Sequence, residues 1–302
     1  MVETQKLQVN TERIARRDIN TMKFTIITIN YNNCDGLEKT IQSVVNQTYQ
    51  DFEYIIIDGG SIDGSVDVIK KYAGRIDYWV SEPDNGVYNA MNKGITKSHG
   101  EYLNFMNSGD SFYDNEVLEK IASMKINADF IGGKTFDNNT KSYEDLENGD
   151  FFELHLIKGT LCHQSTFTKG NLLRGCGYRE DLKIVSDWAF ILKKVLIEGN
   201  SLCYIDVVVS VIDGTGISSD HRPTWSERDK VKQEYRLKYP TFRYIDEYND
   251  NRVFVASKLF EYAKKIHQGN KCVYKIACGL LFLIVWVMGC WDKIRSRVRR
   301  GF

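Results

Sequence analysis

A short polar run in the middle of the chain has the residue types of a cation site. Residues 102–106 are mostly apolar and predict a buried strand, and Asn107-Ser-Gly-Asp110 follows directly. A carboxylate at the C-terminal end of such a strand is well placed to bind a divalent cation, because α/β sheets bind ligands outside that edge. The alternative is a plain turn whose Asp110 caps the next helix, and these residues alone leave both open.

Two further polar turns follow strand-like runs earlier in the chain. The run 24–29 overlaps with and leads into the polar turn 28–33, and the run 52–57 leads into the turn 58–61. Three such loops on one sheet edge describe a nucleoside-diphosphate site better than three unrelated turns do. The first turn lacks a Gly-x-Gly-x-x-Gly pattern, which argues against a dinucleotide-binding enzyme.

The elements that carry these turns alternate regularly. Strand-like runs at 24–29, 52–57, 76–80 and 102–106 are separated by amphipathic helices, the first of them with Asp35 as a plausible N-cap. Strand–helix–strand units give right-handed crossovers and parallel pairing. The expected fold is therefore α/β, a three-layer sandwich around a mainly parallel central sheet.

The pattern is weaker after Asp110. We predict a helix near 117–121, a strand at 128–132, a surface loop at 137–150 and a strand at 161–167. A helix should open at Val185, and a strand should span 204–212. Thr224 and Glu227 have the spacing of a capping box, which predicts a further helix start.

Composition limits the classes of partner. The chain has 302 residues, is 42% hydrophobic and carries no formal net charge. One large domain, or one domain plus an appendage, is therefore expected, and nucleic acid is not an expected partner. Seven cysteines without a C-x-x-C pair indicate reduced thiols and no zinc site. The polar N-terminal residues show no signal peptide.

The C-terminal tail is apolar and then basic. The segment 276–291 is sixteen residues long and carries no charge. A membrane-spanning helix needs about 20 such residues. Basic residues flank the segment on both sides, which favours a hairpin or in-plane insertion at an anionic membrane surface. Burial of the segment against the catalytic domain is the alternative.

Several motifs together resemble a known family. They are 26–32 (IITINYN), 42–48 (QSVVNQT), 58–65 (DGGSIDGS), 86–94 (GVYNAMNKG) and 100–110, with Cys162-His-Gln164 and Ser186-Asp-Trp188 further on. They resemble glycosyltransferase family 2, nucleotide-sugar enzymes of the GT-A (Rossmann-like) fold, in the bacterial subgroup that assembles surface polysaccharides. The resemblance covers residues 24–113 nearly without gaps.

The resemblance and the composition together imply an organisation of the chain. Residues 1–21 would be a polar extension, and 22–220 the GT-A catalytic domain, with a nucleotide half (22–113) and an acceptor half (114–220). Residues 221–270 would form a helical extension, and 271–302 an apolar, membrane-associating helical tail. The protein would lie at the cytoplasmic face of the plasma membrane, as a peripheral or monotopic protein.

The resemblance also implies roles for single residues. Nucleotide contacts would come from Thr28, Asn30, Tyr31, Asp58, Gly59 and Asn92, with Asp58 accepting the imide N–H of uracil. Asp110 would bind the divalent cation, Mn²⁺ or Mg²⁺. The family often has two or three aspartates in this loop, whereas Asn107 and Gly109 replace two of them here, and Gly59 replaces another common aspartate.

The chemistry implied is displacement at an anomeric carbon, which needs a base for the acceptor hydroxyl. Asp187 matches the family position of that base, and its alternative role is a helix N-cap. The sugars would contact Asp84, Asn107, Ser108, His163 and Trp188. The alternatives are turn formation for Asp84 and a packed core position for His163.

The expected function is therefore inverting transfer of a sugar from a nucleotide-sugar donor, a UDP-sugar, to a glycan or lipid-linked acceptor. A non-catalytic nucleotide-sugar-binding or scaffold subunit is the competing hypothesis, motivated by the depleted cation loop. A sugar-phosphate nucleotidyltransferase would need a Gly-rich, basic loop after the first strand, and residues 30–33 are not that.

Overall fold

The computed structural model describes residues 8–9, 23–144, 156–157, 159, 161–214, 221–240, 242–243 and 246–247. The chain divides into two compact units, one of residues 1–146 and 160–231 and the other of residues 147–159 and 232–302. The elements in chain order are β1 (Gln8–Val9), β2 (Phe24–Asn30), α1 (Cys34–Val45), β3 (Phe52–Asp58), α2 (Ser65–Lys71), β4 (Tyr78–Ser81), α3 (Val87–Lys97), β5 (Tyr102–Phe105), β6 (Ser111–Phe112), α4 (Val117–Ser123), β7 (Phe130–Asp137), β8 (Ser142–Glu144), β9 (Thr166–Lys169), α5 (Gly170–Cys176), α6 (Ser186–Leu192), β10 (Leu202–Ile212) and α7 (His221–Lys238).

The strands form one mixed sheet in the order β1-β4-β3-β2-β5-β9-β7-β10-β6, with β8 beside β7. Strands β2 to β5 pair in parallel, as the alternation with helices predicts. Strand β9 pairs antiparallel with both β5 and β7, and β6 pairs antiparallel with β10. The expectation of a mainly parallel sheet was therefore wrong beyond β5, where β7 and β10 are the one parallel pair among the described strands. The regular alternation of strand and helix ends after β5, so right-handed crossovers no longer fix the direction of the strands that follow.

Helices cover both faces of the parallel half. Successive residues of a strand point to opposite sides, so each strand contributes side chains to both faces. Ile26 and Ile56 belong to the large core that includes Leu37 of α1. Ile27 points the other way, toward α3, where a Cβ on Gly94 would lie 2.6 Å from its Cγ2. Only a residue without a side chain allows α3 to approach β2 this closely. The three layers predicted for this half are confirmed.

Three local predictions were wrong at element ends. Helix α1 is capped by Asn33 and not by Asp35, because the Asn33 Oδ1 accepts the Gly36 N–H at 3.2 Å. The predicted strand 161–167 begins only at Thr166, after a 3₁₀ turn at His163–Ser165. Helix α7 begins at His221, before the proposed capping box, so Thr224 lies inside the helix.

Parts of the predicted loop and tail lie outside the described residues. Within the loop 137–150, β8 pairs with the end of β7, and residues 145–150 are not described. The tail 271–302 is also not described, and the same is true of residues 1–21 except for β1. Among the helices that the structure describes, none has the length and apolar character to cross a bilayer.

Candidate active site

Asp58 lies at the carboxyl end of β3, beside Asn30 at the end of β2, and it is completely buried. Its Oδ1 accepts hydrogen bonds from Asn30 Nδ2 (2.7 Å) and Ser61 Oγ (2.6 Å). Its Oδ2 accepts from Ser81 Oγ (2.6 Å) and from the backbone N–H of Gly60 (3.2 Å) and Ser61 (2.9 Å). With five internal donors, Asp58 organises the loop after β3, and these donors surround both of the oxygens that the predicted contact with uracil would use.

Thr28 and Asn30 also lie inside the fold. Thr28 is 0% exposed, and its hydroxyl donates to the Met106 carbonyl at 2.8 Å and lies 3.0 Å from the Tyr54 hydroxyl. Asn30 is only 4% exposed. These two predicted base contacts therefore hold β2 against its neighbours. Tyr31, by contrast, is 67% exposed and offers its ring to a ligand.

Tyr31, Gly59 and Asp84 come together at one point of this edge. A Cβ on Gly59 would lie 3.1 Å from Tyr31 Cδ2 and 2.6 Å from Asp84 Oδ2. Asp84 Oδ1 accepts the Gly86 N–H at 2.8 Å. The three residues form a small cradle, which we call the base cradle, with an aromatic ring on one side and a carboxylate on the other.

Asn92, another predicted nucleotide contact, is occupied elsewhere. Its Nδ2 donates to the Tyr178 carbonyl (2.9 Å) and to Glu180 Oε1 (2.8 Å). Its Oδ1 accepts the Tyr178 N–H at 2.8 Å. Both amide hydrogens are thus used, and the side chain ties α3 to the segment before α6. In this structure the Asn92 side chain therefore has a structural role, and its predicted nucleotide contact stays a prediction.

The loop 107–110 is held against helix α1. Thr40 Oγ1 donates to the Asp110 carbonyl at 2.6 Å, and Asn33 Nδ2 donates to the carbonyl of Ser108 at 3.2 Å. Lys39 Nζ donates to the carbonyl of Gly109 at 2.8 Å. Ser108 therefore has its backbone and side chain directed at α1. The capping alternative for Asp110 has no support, since its carboxylate bonds to Gln164 and not to the following helix.

The Asp110 carboxylate is buried next to a second acid. Its Oδ2 accepts from Gln164 Nε2 at 2.6 Å, and its Oδ1 lies 3.4 Å from the Asp213 backbone nitrogen. The Asp213 carboxylate lies 3.0 Å from where a Cβ on Gly109 would stand. Burial raises the pKa of Asp110, and the charge of Asp213 adds to that increase, while Gln164 and His163 oppose it.

The oxygens of this loop fit a hard divalent cation. Within the described part of the chain, the buried Asn107 Oδ1 has no hydrogen-bond partner. Mg²⁺ and similar ions take oxygen ligands and need only one or two protein carboxylates when phosphates supply the rest. The described residues hold no group of three or more His, Cys, Asp or Glu side chains with ligand spacing. Asp110 and Asn107 are thus the residues that fit such an ion together with a diphosphate.

Asp187 lies in the first turn of α6, where it is not the N-cap, because Val185 stands at that position and makes no side-chain cap. The Tyr88 hydroxyl lies 2.8 Å from Asp187 Oδ1 and 2.6 Å from the Ile184 carbonyl, and the two acceptors share its one proton. His163 Nδ1 lies 3.0 Å from Asp187 Oδ2. Asp187 is thus held by long-range contacts and not by a local capping role.

The pKa of Asp187 reflects these contacts. Burial raises it, but the hydrogen bond and charge of His163 and the hydrogen bond of Tyr88 outweigh burial, so the pKa lies below its usual value. Burial and the nearby Asp187 raise the pKa of Tyr88 well above its ordinary range. Asp187 is therefore ionised near neutral pH, and Tyr88 remains a protonated donor.

His163 joins the two candidate carboxylate sites. Its Nε2 lies 3.0 Å from Asn107 Nδ2, while its Nδ1 faces Asp187. The Nδ1–H donates to the Asp187 carboxylate, which can only accept, and Nε2 lies at hydrogen-bonding distance from the Asn107 amide. Gln164, the next residue, bonds to Asp110. The 3₁₀ turn that replaced the predicted strand thus places His163 and Gln164 between the cation loop and Asp187.

Trp188 lies behind the site and not at its surface. It is 2% exposed, and the Arg228 guanidinium carbon lies 5.1 Å from its ring centre. The same guanidinium lies 5.8 Å from the ring of Trp225, which is 52% exposed. The predicted sugar contact at Trp188 is therefore covered, and Trp225 is the accessible tryptophan of this pair.

Sequence reasoning missed several residues of the site, namely Tyr88, Gln164 as a partner of Asp110, Asp213, Trp225 and Arg228. A signal existed for Asp213, which directly follows the long β-branched strand β10, much as Asp58 is the last residue of β3. No local signal existed for Tyr88, whose partner Asp187 is 99 positions away.

Glu227 fixes the segment that leads into α6. Its carboxylate accepts the backbone N–H groups of Lys183 (2.7 Å), Ile184 (2.7 Å) and Val185 (3.1 Å). Three amides that converge on one carboxylate form a charge-assisted anchor for the start of helix α6. The acid predicted to sit in a capping box therefore caps a different segment, and through it positions Asp187.

We expect Glu227→Gln to lower the free energy of unfolding by about 1–3 kcal/mol, because a neutral amide leaves N–H donors without a charged acceptor. Glu116→Gln is the matched control, since the Glu116 side chain is 66% exposed and makes only a 3.5 Å ion pair with Lys120. Urea denaturation measures both. Equal small changes in the two variants would contradict the anchoring role.

Comparison with known proteins identifies a family and several relatives of this chain. The sequence pattern of glycosyl transferase family 2 matches residues 25–177. An uncharacterized glycosyltransferase of Mycobacterium tuberculosis (strain CDC 1551 / Oshkosh) is 33% identical over 208 residues, 66% of this chain and 78% of the relative. A PGL/p-HBAD biosynthesis glycosyltransferase of Mycobacterium bovis (strain BCG / Pasteur 1173P2) is 30% identical over 176 residues, 55% of this chain and 67% of the relative.

Solved structures share the fold. S. aureus TarS 1-349 in complex with UDP-GlcNAc superimposes with a TM-score of 0.60 at 18% identity, covering 72% of this chain and 66% of that one. The matched part is 40% of a longer TarS chain. The mannosyltransferase PcManGT from Pyrobaculum calidifontis, in complex with GDP-Man and Mn²⁺, gives a TM-score of 0.52 at 14% identity, with 93% of both chains covered.

The mixed α/β sheet, with its polar loops at one edge, is the fold of these glycosyltransferases, and the chain is an enzyme of that class. With the family pattern spanning residues 25–177, it belongs to glycosyltransferase family 2.

Proposed function

We propose that the chain transfers a sugar, with inversion at the anomeric carbon, from a UDP-sugar to a glycan or lipid-linked acceptor in surface polysaccharide synthesis. One observation carries the proposal: the ionised Asp187 is connected through His163 to Asn107 of the cation loop. This link supports a base for the acceptor next to a site for the charged leaving group, the arrangement that a single displacement requires.

The leaving group is a nucleoside diphosphate, on which negative charge develops as the bond to the sugar breaks. Asp110 and Asn107 are the residues that would hold a divalent cation there. When bound, such a cation offsets the charge on the departing diphosphate oxygens. Mn²⁺ accompanies GDP-Man in the structure of PcManGT, and Mn²⁺ or Mg²⁺ is the cofactor we propose here.

The acceptor hydroxyl gives its proton to the Asp187 carboxylate as its oxygen bonds to the anomeric carbon. The electron pair of the broken bond leaves with the diphosphate. Tyr88 and His163 hold the carboxylate in one orientation, because each contacts a different oxygen. The lowered pKa of Asp187 keeps it deprotonated before the acceptor arrives.

Two relatives support the kind of donor and pathway. The TarS complex contains UDP-GlcNAc, and the Mycobacterium bovis relative is named for PGL/p-HBAD biosynthesis. These names, together with the exposed Tyr31 of the base cradle, favour a nucleotide-sugar donor and a role in surface glycans. The competing function is a non-catalytic nucleotide-sugar-binding subunit, favoured by Asn107 and Gly109 in the cation loop. The retained Asp110 and Asp187 argue for the enzyme.

The proposed donor is tested by thermal shift with a panel of nucleotide sugars, each with and without Mn²⁺. Stabilisation by one or more UDP-sugars that requires Mn²⁺ is the expected result. Stabilisation by none of the panel would contradict the proposed function. Stabilisation without sugar release to any acceptor would favour the binding subunit.

We further propose that the apolar and basic tail, residues 271–302, brings the enzyme to the cytoplasmic face of the membrane. Its sixteen uncharged residues and following basic cluster suit an anionic lipid interface, where a lipid-linked acceptor would also be found. The full chain is expected to float with anionic phosphatidylglycerol vesicles, more weakly at high salt, and a chain truncated at Gly269 is expected not to float. Flotation of neither protein would contradict the proposal.

A further inference from the structure

We propose that Asp84 reads the nucleobase, by accepting a hydrogen bond from its ring N–H on the carboxylate oxygen Oδ2. This inference rests on the proposed function, since it concerns the donor of that same reaction. It moves base recognition from the loop after β3, where the sequence predicts it, to the loop between β4 and α3.

The carboxylate of Asp58 is not available to a base. Its side chain is 0% exposed, and five donors from its own fold surround its two oxygens. A base could reach it only by displacing the hydroxyl of Ser61 or Ser81 or the amide of Asn30. Each of these is already at hydrogen-bonding distance, so the exchange would gain nothing.

The space above Gly59 is filled by a carboxylate from another loop. Gly60 has a φ of 82° and needs to be glycine for its backbone, whereas Gly59 is not among the glycines with positive φ. What position 59 lacks is therefore a side chain and not a special conformation. The space where that side chain would begin is taken by Asp84, whose Oδ2 lies 2.6 Å from the Cβ position. A carboxylate thus reaches this point from residue 84.

The Asp84 carboxylate is held in place by its own loop. Its Oδ1 accepts the Gly86 N–H at 2.8 Å, the one hydrogen bond that the described part of the chain shows for this side chain. Lys93 of α3 fixes the same loop, donating to the Pro83 carbonyl (3.0 Å) and pairing with Glu82 (2.7 Å). Oδ2 is left directed at the base cradle, which is the pre-organised arrangement that binding favours.

The ring of Tyr31 completes the cradle. It is 67% exposed, and its Cδ2 lies 3.1 Å from the same Cβ position on Gly59. A flat base stacked on this ring would bring its edge toward the Asp84 carboxylate. The aromatic face gives affinity for any base, and the carboxylate adds selectivity for the edge.

The selectivity follows from hydrogen-bond chemistry. An ionised carboxylate only accepts hydrogen bonds. Uracil N3–H and guanine N1–H are donors, whereas N3 of cytosine is an acceptor and would face the carboxylate without a proton between them. UDP and GDP share the feature that Asp84 recognises, and CDP lacks it. An asparagine at this position can present an N–H to cytosine instead.

The test measures the dissociation constants of UDP, GDP and CDP by calorimetry with Mn²⁺ on the full chain. The wild type should prefer UDP or GDP over CDP by about tenfold or more, and the stronger of the two identifies the base. Asp84→Asn should reduce that preference by about tenfold, chiefly by weakening the favoured nucleotide. Gly59→Ala, whose Cβ would push the carboxylate away, should act in the same direction without changing charge.

Asp67→Asn is the matched control, because the Asp67 side chain is 85% exposed and lies on α2. It should leave all three constants unchanged. If the wild type binds a nucleotide and Asp84→Asn keeps the same UDP:CDP and GDP:CDP ratios, the inference is overturned while the proposed function stands. If the wild type binds none of the three, both are overturned.

Discussion

Replacing Asp187 with asparagine is expected to reduce sugar transfer by about 10²–10⁴-fold while donor affinity stays within a few-fold. The amide keeps the shape of the carboxylate and can still meet Tyr88, but it cannot take the proton of the acceptor hydroxyl. The base acts in the chemical step and not in ground-state binding of the nucleotide, so kcat should fall and the donor dissociation constant should not. Steady-state kinetics and calorimetry on the same preparation separate the two quantities.

Asp181→Asn provides the control for Asp187, since the Asp181 side chain is 64% exposed and pairs with Arg179. It should retain the activity of the wild type. Unchanged turnover in Asp187→Asn would contradict the assignment of the base. A parallel loss of donor binding would instead show that Asp187 holds the fold of the site together.

The pH dependence should follow the state of the same carboxyl group. Because the pKa of Asp187 is lowered, the group loses its charge only at a pH below the usual range of an aspartate. We therefore expect the rate of sugar transfer, as far as it depends on this base, to stay constant down to that pH. At lower pH the rate should decrease.

Replacing Asp110 with asparagine is expected to abolish the part of donor binding that depends on a divalent cation. Asn107 and Gly109 offer no second carboxylate within the loop, so the remaining amide and backbone oxygens are weak ligands for a hard cation. The dissociation constant of UDP, measured with Mn²⁺ and with EDTA, should become the same in the variant. In the wild type, EDTA should weaken binding.

The raised pKa of Asp110 also predicts how donor affinity changes with pH. Burial raises that pKa, so a proton competes with the cation at a higher pH than at an ordinary aspartate. Donor affinity in the presence of Mn²⁺ should thus weaken as the pH falls through this raised value. An Asp110→Asn protein that still bound UDP in an EDTA-sensitive way would show that Asp110 is not a ligand.

The first half of the fold was predictable because its signals are local. Each strand of β2 to β5 is a short apolar run, and each helix between them has its own apolar face, so the parallel order follows from right-handed crossovers. The order of the second half depends on β9, which inserts between β5 and β7 from far along the chain. No local pattern encodes that insertion.

The residues of the site also differ in how far the sequence alone predicts them. Asp110 and Asp187 stand out in the sequence, and the structure gives both of them partners from distant segments, Gln164 in one case and Tyr88 with His163 in the other. The predicted roles of Asp58 and Asn92 depended on exposed polar atoms. Whether a side chain is exposed depends on donors from other elements, such as Ser81 for Asp58, and these become visible only in the folded chain.

The anomeric configuration of the first product is the most direct test of the proposed single displacement. The enzyme would be given the UDP-sugar that the thermal-shift panel identifies, with Mn²⁺ and a panel of alkyl glycosides as acceptors, and the new linkage would be assigned by proton NMR. A donor with an α-linked diphosphate should yield a β-linked product, and Asp187→Asn should yield none. An α-linked product would contradict a single displacement assisted by Asp187.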